Sequence, residues 1–422
     1  MASRHKDRFL LALSEFSSCL CNGGFPPPAS ELLAAAKLFA LGKKTGGVRP
    51  IACGDTFRRV AAKCLLQTAI SSPLSHLLPT QMGVKVANAT EIIALETSLW
   101  IENYKDGKCD DPDRPLQRFQ FHSQKENDGR RLQVCPIFYP YALSFYGQRS
   151  LMCGNTFQLW SEQGVQQGDV CGPLFFALGI HDAVLEASSA CSYSRWFLDD
   201  GNMRGTPAQI ETSLSILRTR LAGVSLRINQ TKCVLFGKRN QPLPPCLSSI
   251  PFRSFEDGIT VLGTPVGSDN FRQEFLQTAM QKISGFFQSL GQVGDVHAEL
   301  LLLRICGGAC RVNHLLRTLP FRDGEALSRE VSLLQFGHLK AALGTSCTQS
   351  SIDLACLPAK HGGVGVRDPR YDHTPAVLAS YFCFARQQPE DAPRENDFSI
   401  CFARNWLRES MTVHGTHYEH TS

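Results

Sequence analysis

The stretch Arg195-Trp-Phe-Leu-Asp-Asp-Gly-Asn-Met203 places two acids side by side at the end of an aromatic and apolar run, with a glycine directly after them. Ser192 to Leu198 alternates as a strand does, Asp199-Asp200-Gly201 reads as the turn, and Asn202 to Arg204 begins the return strand. Adjacent carboxylates at a β-turn repel each other, and partial burial raises that cost. A bound divalent cation removes it, because Mg²⁺ takes carboxylate and phosphate oxygens and keeps waters. Two such ions about 4 Å apart activate an attacking hydroxyl and stabilise the leaving oxygen of a phosphoryl transfer. The competing reading is a solvated type I′ turn, in which Asp-Asp-Gly is ordinary. The stretch alone favours that second reading, and its neighbours decide.

Before the hairpin, a short strand at Gln158 to Trp160 leads into Gly164-Val-Gln-Gln-Gly-Asp169 and then an apolar helix from Pro173 to Leu185. After it, Pro207 to Leu221 is helical. Val224 to Ile228 and Cys233 to Phe236 read as short strands around Asn229 and Lys232, and Ile259 to Val266 as an apolar hairpin containing Gly263. Beyond Phe271 the pattern is helical, with one long segment from Val296 to Leu319. Towards the N-terminus, Phe9 to Phe16 has helical spacing, broken by Phe25-Pro-Pro-Pro28. Ala29 to Ala40 reads as a helix ending in the basic turn Gly42-Lys-Lys-Thr-Gly-Gly47, and Val48 to Ala52 as extended. Two further helices are expected over Thr56 to Ile70 and Asn88 to Asn103.

Lys105 to Val134 differs from all of this. It is strongly polar, with Asp110-Asp-Pro-Asp-Arg114 and Lys125-Glu-Asn-Asp-Gly-Arg-Arg131, and it shows no period of two or of 3.6 residues. Alone it reads as a flexible insertion, with order resuming near Pro136.

The bulk numbers bound the possibilities. A chain of 422 residues is long enough for two or three subdomains, and a net charge of +5 is compatible with a polyanionic partner without requiring one. Seventeen cysteines are many. With no secretory leader before the first helical pattern, they read as free thiols in a reducing compartment. Cys19-Leu-Cys21 and Cys306 to Cys310 lack the matching pair a zinc finger needs, and His414, His417 and His420 crowd a polar tail. No run approaches the roughly 20 apolar residues of a membrane span.

Taken in order, the motifs resemble the reverse transcriptases of non-LTR retrotransposons. Gly46-Gly-Val-Arg-Pro-Ile51 and Arg58-Arg-Val-Ala-Ala-Lys63 resemble their finger motifs. Gly164 to Asp169 with Gly172-Pro-Leu-Phe-Phe176 is similar to the nucleotide-pocket loop and helix of the palm, and Phe197-Leu-Asp-Asp200 to the metal hairpin. Leu226-Arg-Ile-Asn-Gln-Thr-Lys-Cys233 resembles the next palm motif, and Val261-Leu-Gly-Thr-Pro-Val-Gly267 the primer-grip hairpin. Leu300 to Pro320 and Leu357-Pro-Ala-Lys-His-Gly-Gly-Val-Gly365 fit the helical thumb and the connection after it. The resemblance covers residues 10 to 370. Val170 stands where relatives carry proline, a minor departure.

The resemblance implies an α+β right-hand polymerase with fingers, antiparallel-sheet palm and helical thumb. Fingers and the start of the palm would occupy 1–104, an aberrant segment 105–135, palm 136–268, thumb and connection 269–370, and a tail 371–422. It implies Mg²⁺ on Asp199 and Asp200, with Lys232 beside the pyrophosphate leaving group as general acid. Lys43 or Lys44 together with Arg49 would hold the triphosphate, and Gln166, Gln167 and Gly168 would line the nascent base pair, Gly164 sharing the backbone role. Gly263 would pack against the primer. The partners implied are an RNA template, a DNA primer and dNTP, in the nucleus or cytoplasm; no targeting run and no membrane segment is found, and oligomeric state is not legible.

One carboxylate is missing. Two-metal transfer needs a third acid from a separate strand to bridge the ions. In this family it opens a motif like Asp-Phe-x-Asn-Ala-Phe-Asn, absent here. Counted back from Tyr139-Pro-Tyr141, its aspartate is expected at Arg114, inside the anomalous polar stretch. Plausible codons for Arg114 to Arg131, read in the neighbouring frame, give Asp and then Asn-Ala-Phe-Asn. The segment is therefore read as translated out of frame, by a real frameshift or a gene-model error. Asp110, Asp111 and Asp113 lie nearby in a proline-broken context that makes a poor strand. Three outcomes compete: an active RNA-directed DNA polymerase, a non-catalytic nucleic-acid-binding relic, and a pseudogene product without a stable fold.

Overall fold

The computed structural model describes residues 2–43, 46–105, 116–123, 135–162, 164–239, 242–344 and 348–386. The chain divides into two compact units. The first gathers the described residues of Met1–Val86, Asp113–Leu235 and Asn240–Phe252, the second those of Ala87–Pro112, Phe236–Arg239 and Arg253–Ser422.

Helices α1 (Ala2–Cys21) and α2 (Pro27–Ala34) lead into the hairpin of β1 (Ala36–Gly42) and β2 (Val48–Gly54). The helix expected over Ala29 to Ala40 thus ends early. Antiparallel pairing from Ala36↔Gly54 to Gly42↔Val48 overrides the local helical preference of Lys37 to Leu41. Helix α3 (Thr56–Ala69) starts on Asp55, whose side chain accepts from the Phe57 N–H at 2.7 Å. It buries Arg58, Ala61, Ala62, Leu65, Leu66 and Ala69, a stripe at helical spacing with one charge in it. α4 (Ser71–Leu77) comes next, then α5 (Ala89–Lys105), which belongs to the second unit.

The first unit continues with β3 (Leu116–Ser123), α6 (Tyr139–Tyr146), β4 (Ser150–Cys153), β5 (Gln158–Ser161), α7 (Gly172–Ser189), β6 (Tyr193–Phe197), β7 (Asp200–Arg204), α8 (Pro207–Ala222) and β8 (Leu226–Ile228). β9 (Val234–Gly237) carries the chain into the second unit. One sheet has the order β2-β1-β4-β5. In the other, β6 pairs antiparallel with β7, and β7 with β3 from Leu116↔Arg204 to Gln120↔Asp200. β3 then pairs with β8 from Phe121↔Ile228 to Ser123↔Leu226. The polar stretch expected to lack regular structure therefore contributes a strand beside the acid hairpin. The reading of no period over 105–134 overlooks Arg118-Phe-Gln-Phe-His122, a short run that alternates polar with aromatic residues, enough for a ladder whose hydrogen bonds come from the backbone. Arg114 and the acids at 110, 111 and 113 lie outside the described residues.

Behind this sheet, Trp196 and Met203 pack with Ile180, Val184, Leu214 and Leu217 of α7 and α8. A second core joins Leu65, Phe138, Tyr141, Phe145, Leu174 and Phe175. α8 begins in a capping box, Thr206 with Gln209.

The second unit holds α5, the antiparallel hairpin β11 (Ile259–Val261) and β12 (Thr264–Val266), and helices α9 (Asp269–Leu290), α10 (Val296–Cys306), α11 (Ala309–Thr318), α12 (Phe321–Leu343), α13 (Gln349–Cys356) and α14 (Pro369–Ala385); β10 (Phe252–Ser254) lies at its start. The long helix expected over Val296 to Leu319 is broken at Gly307-Gly308, where Gly308 has a φ of 62° and a Cβ would stand 1.7 Å from Gln335 Oε1. Leu303, Val312, Leu316 and Phe336 lie in its core. Among the described residues the cysteines are free, and no helix is long and apolar enough to cross a membrane.

Candidate active site

Phe197 pairs with Asp200, so the connection between β6 and β7 is Leu198-Asp199. The turn lies one residue earlier than the sequence suggests. Leu198 has a φ of 55°, and a positive φ at the first loop position is what tight hairpins demand. Asp199 is exposed at the tip, and Asp200 opens β7. Gly201 is a glycine for a different reason than turn geometry: a Cβ there would meet the fully buried Trp196 ring at 2.4 Å.

Although its carboxylate reaches solvent, the protein atoms crowded around the turn partly desolvate it, and this, with the neighbouring Asp200 carboxylate second, raises the Asp199 pKa above the ordinary carboxylate value; its own backbone, Lys232 and Arg49 pull the other way. The charges of Asp200, Lys232 and Arg49 thus all reach Asp199. Lys232 is the exposed end of a one-turn helix, Gln230–Lys232, whose Asn229 cap accepts from Thr231 N at 3.2 Å. Two adjacent carboxylates that repel each other suit one hard cation completed by waters and phosphate oxygens. A bridged pair of ions needs a further acid. The strand beside Asp200 reads Leu-Gln-Arg-Phe-Gln-Phe-His-Ser over 116–123 and contains none. Among the described residues the donor set therefore suits a single ion and offers no third acid for a second.

The 164–169 loop lies against β2: the Ala52 N–H donates to the Gln167 carbonyl at 2.7 Å. A Cβ at Gly168, whose φ is 123°, would lie 2.5 Å from the Ala52 carbonyl oxygen, so only glycine allows this approach. Gln167 and Gly168 are exposed, but Gln166 turns inward and accepts from Arg58 Nη1 at 3.1 Å. Arg58 is 1% exposed. It also donates to the Ala34 carbonyl at 3.1 Å and to Tyr141 Oη at 3.4 Å, and stands 3.4 Å from Asp169. Asp169 accepts from Tyr141 Oη at 3.3 Å and from Tyr146 Oη. Burial, and the Asp169 charge after it, pushes both tyrosine pKa values well above normal. Residue types along the chain hinted at this cluster only through the charge at Arg58 in an otherwise apolar helical stripe.

Lys43 is exposed in the β1–β2 loop; its N–H donates to the Gly47 carbonyl at 3.0 Å. Lys44 lies outside the described residues. Gly263, in the second unit, has a φ of 93° beside Leu262 at 46°, the two positive values of a type I′ connection between β11 and β12. Thr264 and His314 of α11 hydrogen-bond at 3.1 Å next to it.

A short segment after α4 clasps the acid turn. Trp196 N–H donates to the Thr80 carbonyl at 2.8 Å, and Met82 N–H to the Trp196 carbonyl at 2.7 Å. Gln81, 1% exposed, accepts through Oε1 from Leu198 N–H at 2.8 Å and from Gly83 N–H at 3.1 Å, and donates from Nε2 to the Leu198 carbonyl at 3.2 Å. Nothing in the local pattern around Gln81 announces a partner 117 residues away.

No protein-family model matches the chain, and no curated protein does. Among solved structures it is similar in part to telomerases of two yeasts. Over 94% of its length it aligns with apo telomerase from Candida tropicalis at 11% identity and a TM-score of 0.45. It covers the same share against telomerase from Candida albicans in complex with a fragment of telomeric RNA, at 10% identity and 0.42. A Candida tropicalis telomerase truncated from its C-terminal domain aligns over 48% of the chain at 12% identity and 0.33. The chain spans 68%, 66% and 50% of those three proteins respectively.

Proposed function

We propose that this chain is an RNA-directed DNA polymerase core of retrotransposon origin that binds nucleic acid and is impaired in catalysis as written. One observation carries the reading: Asp199 and Asp200 share a hairpin turn and the charges of Lys232 and Arg49 reach Asp199, while the strand paired to Asp200 brings no third acid. Asp199 and Asp200 would hold Mg²⁺. A bound ion there would supply charge screening for the two carboxylates and a binding point for phosphate oxygens. Arg49 with Lys43 or Lys44 neutralises the triphosphate of a dNTP, Arg49 being the charge that already acts on Asp199. Lys232, whose charge also acts on Asp199, would give a proton to departing pyrophosphate. Gln167 and the bare backbone of Gly168 face the new base pair. Gln166 acts from within, through Arg58. Gly263 meets the primer backbone. RNA as template, DNA as primer and retrotransposon descent rest on the motif series, and the impairment rests on the missing acid and an out-of-frame origin for 105–135.

Primer extension on an RNA template with Mg²⁺ tests the reading. The chain as written is expected to extend no faster than its Asp199→Asn variant. It is also expected to bind primer–template with an affinity that falls linearly in log–log plots against salt. Extension well above that background refutes the impairment, and salt-independent or absent binding refutes the nucleic-acid role. The coding DNA from codon 100 to codon 140 tests the frame directly: a neighbouring frame should encode Asp-x-x-Asn-Ala-Phe-Asn.

A further inference from the structure

We propose that Gln81 is a positioning residue for the acid turn: its buried carboxamide holds Leu198 in the left-handed conformation that presents Asp199. The proposal rests on the metal-holding role of Asp199 and Asp200.

Leu198 is a branched residue at a φ of 55°. Such a conformation is strained for any residue with a Cβ and persists only where its surroundings over-determine it. Here a single side chain takes both backbone groups of the strained residue, the N–H at 2.8 Å and the carbonyl at 3.2 Å. The held carbonyl belongs to the peptide plane that continues into Asp199, so fixing it fixes the direction from which the Asp199 side chain leaves the backbone. The amide orientation is determined as well. Oε1 faces two N–H donors, Leu198 and Gly83, and exchanging oxygen with nitrogen would set donors against donors.

The rest of the clasp keeps Gln81 in place. The paired bonds between Trp196 and residues 80 and 82 fix the segment alongside β6. Gly83 lets it come that close, since a Cβ there would lie 2.5 Å from Leu198 N and 2.7 Å from Leu198 Cγ. Among near-isosteres, only glutamine supplies an acceptor for two N–H groups and a donor for a carbonyl at this length. Glutamate lacks the donor, asparagine lacks the reach, and methionine fills the space with no polar atom.

The test uses the full chain and Mn²⁺ alone as probe, with free Mn²⁺ counted by electron paramagnetic resonance. Gln81→Met is expected to weaken Mn²⁺ binding about tenfold, roughly 1.4 kcal/mol. Adding Leu198→Gly, which removes the strain at positive φ, should recover most of that loss, while Leu198→Gly alone changes affinity less than about twofold. A merely structural role for Gln81 would not produce this selective rescue. Asp199→Asn separates the two ideas. If it abolishes binding while Gln81→Met binds as the parent does, the positioning role is overturned and the metal reading stands. If Asp199→Asn binds like the parent, the metal reading fails. Amide hydrogen exchange gives a readout without metal: in Gln81→Met the Leu198 amide should exchange at least tenfold faster, with Trp196 still protected. Unchanged Leu198 protection overturns the proposal. Should Gln81→Met fail to fold, Gln81→Glu, which keeps both acceptor bonds and loses the donor, is read by the same two measurements.

Discussion

Replacing Asp169 by asparagine keeps the size of the side chain and removes one charge from the buried cluster behind the 164–169 loop. Arg58 and Asp169 are 3.4 Å apart with side chains 1% and 2% exposed, so almost no solvent screens them. At an effective dielectric of about 20, unit charges at this separation attract by about 5 kcal/mol. Breaking one partner of a buried pair costs about 3–5 kcal/mol, because the remaining charge stays buried without compensation. The Arg58 guanidinium keeps three bonds in the variant, to Gln166, to the Ala34 carbonyl and to Tyr141 Oη, and its contact with the Phe145 ring at 4.5 Å. These place the expected loss at the lower end, about 3 kcal/mol. With a urea slope of about 2 kcal/mol/M, the midpoint should fall by about 1.5 M. Hydrogen exchange of α3 and α7 amides across a urea series isolates the unit that holds the pair. The double variant Arg58→Met with Asp169→Asn should be less damaged than the sum of its singles by about 2 kcal/mol, since it leaves no unmatched charge. A midpoint drop under about 0.3 M, or singles that simply add, would refute the reasoning.

Asp199 carries a stability signature of the opposite sign. Its folded pKa lies above the unfolded value, so its contribution to stability is fully present below the unfolded pKa, about 3.9, and is lost as pH rises through the folded value. Without divalent ions, Asp199→Asn should therefore melt higher than the parent at pH 7, and the difference should close below about pH 4. Melts in chelator across that range check it, and an equal or lower melting point at pH 7 sinks the idea. Gly201→Ala should destabilise the chain by about 1–3 kcal/mol through overpacking against Trp196, read by thermal melting. A neutral result would mean that the ring does not occupy the space above Gly201.

The features legible in the sequence were those that neighbours along the chain decide. The β6–β7 hairpin, α7, α8 and the 259–266 hairpin follow from apolar periodicity, and the place of Asp199 at the end of β6 from the same pattern. The turn itself was misplaced by one residue because Asp-Gly looks like the centre of a type I′ turn, whereas Gly201 answers to the indole of Trp196 and the positive φ falls on Leu198. β1 was read as helix because Ala-Lys-Leu-Phe-Ala-Leu states no period until β2 and β4 pair with it. Gln81 and the Arg58–Asp169 cluster stayed hidden for a stronger reason. Their meaning lies in partners more than a hundred positions away, and a glutamine near a proline or an arginine near a lysine looks ordinary until the fold closes.

β3 separates two kinds of fitness that usually travel together. A backbone ladder accepts almost any strand-capable sequence, because its hydrogen bonds come from N–H and C=O groups that every non-proline residue carries. Pairing of 116–123 with β7 and β8 is therefore compatible with a segment that was never selected for this place. Side chains are less forgiving, and beside β3 one is left wanting. Asn202 is 1% exposed, and neither its amide nitrogen nor its oxygen has a hydrogen-bond partner among the described residues. Such an orphan costs about 1–3 kcal/mol. It sits two residues after Asp200, in register with Arg195 of β6 and Arg118 of β3. β6 and β7 otherwise fit each other closely, from the Trp196 contact with Gly201 to the Arg204 guanidinium 3.7 Å above the Tyr193 ring. A shape-matched apolar residue in place of Asn202 would not carry that cost.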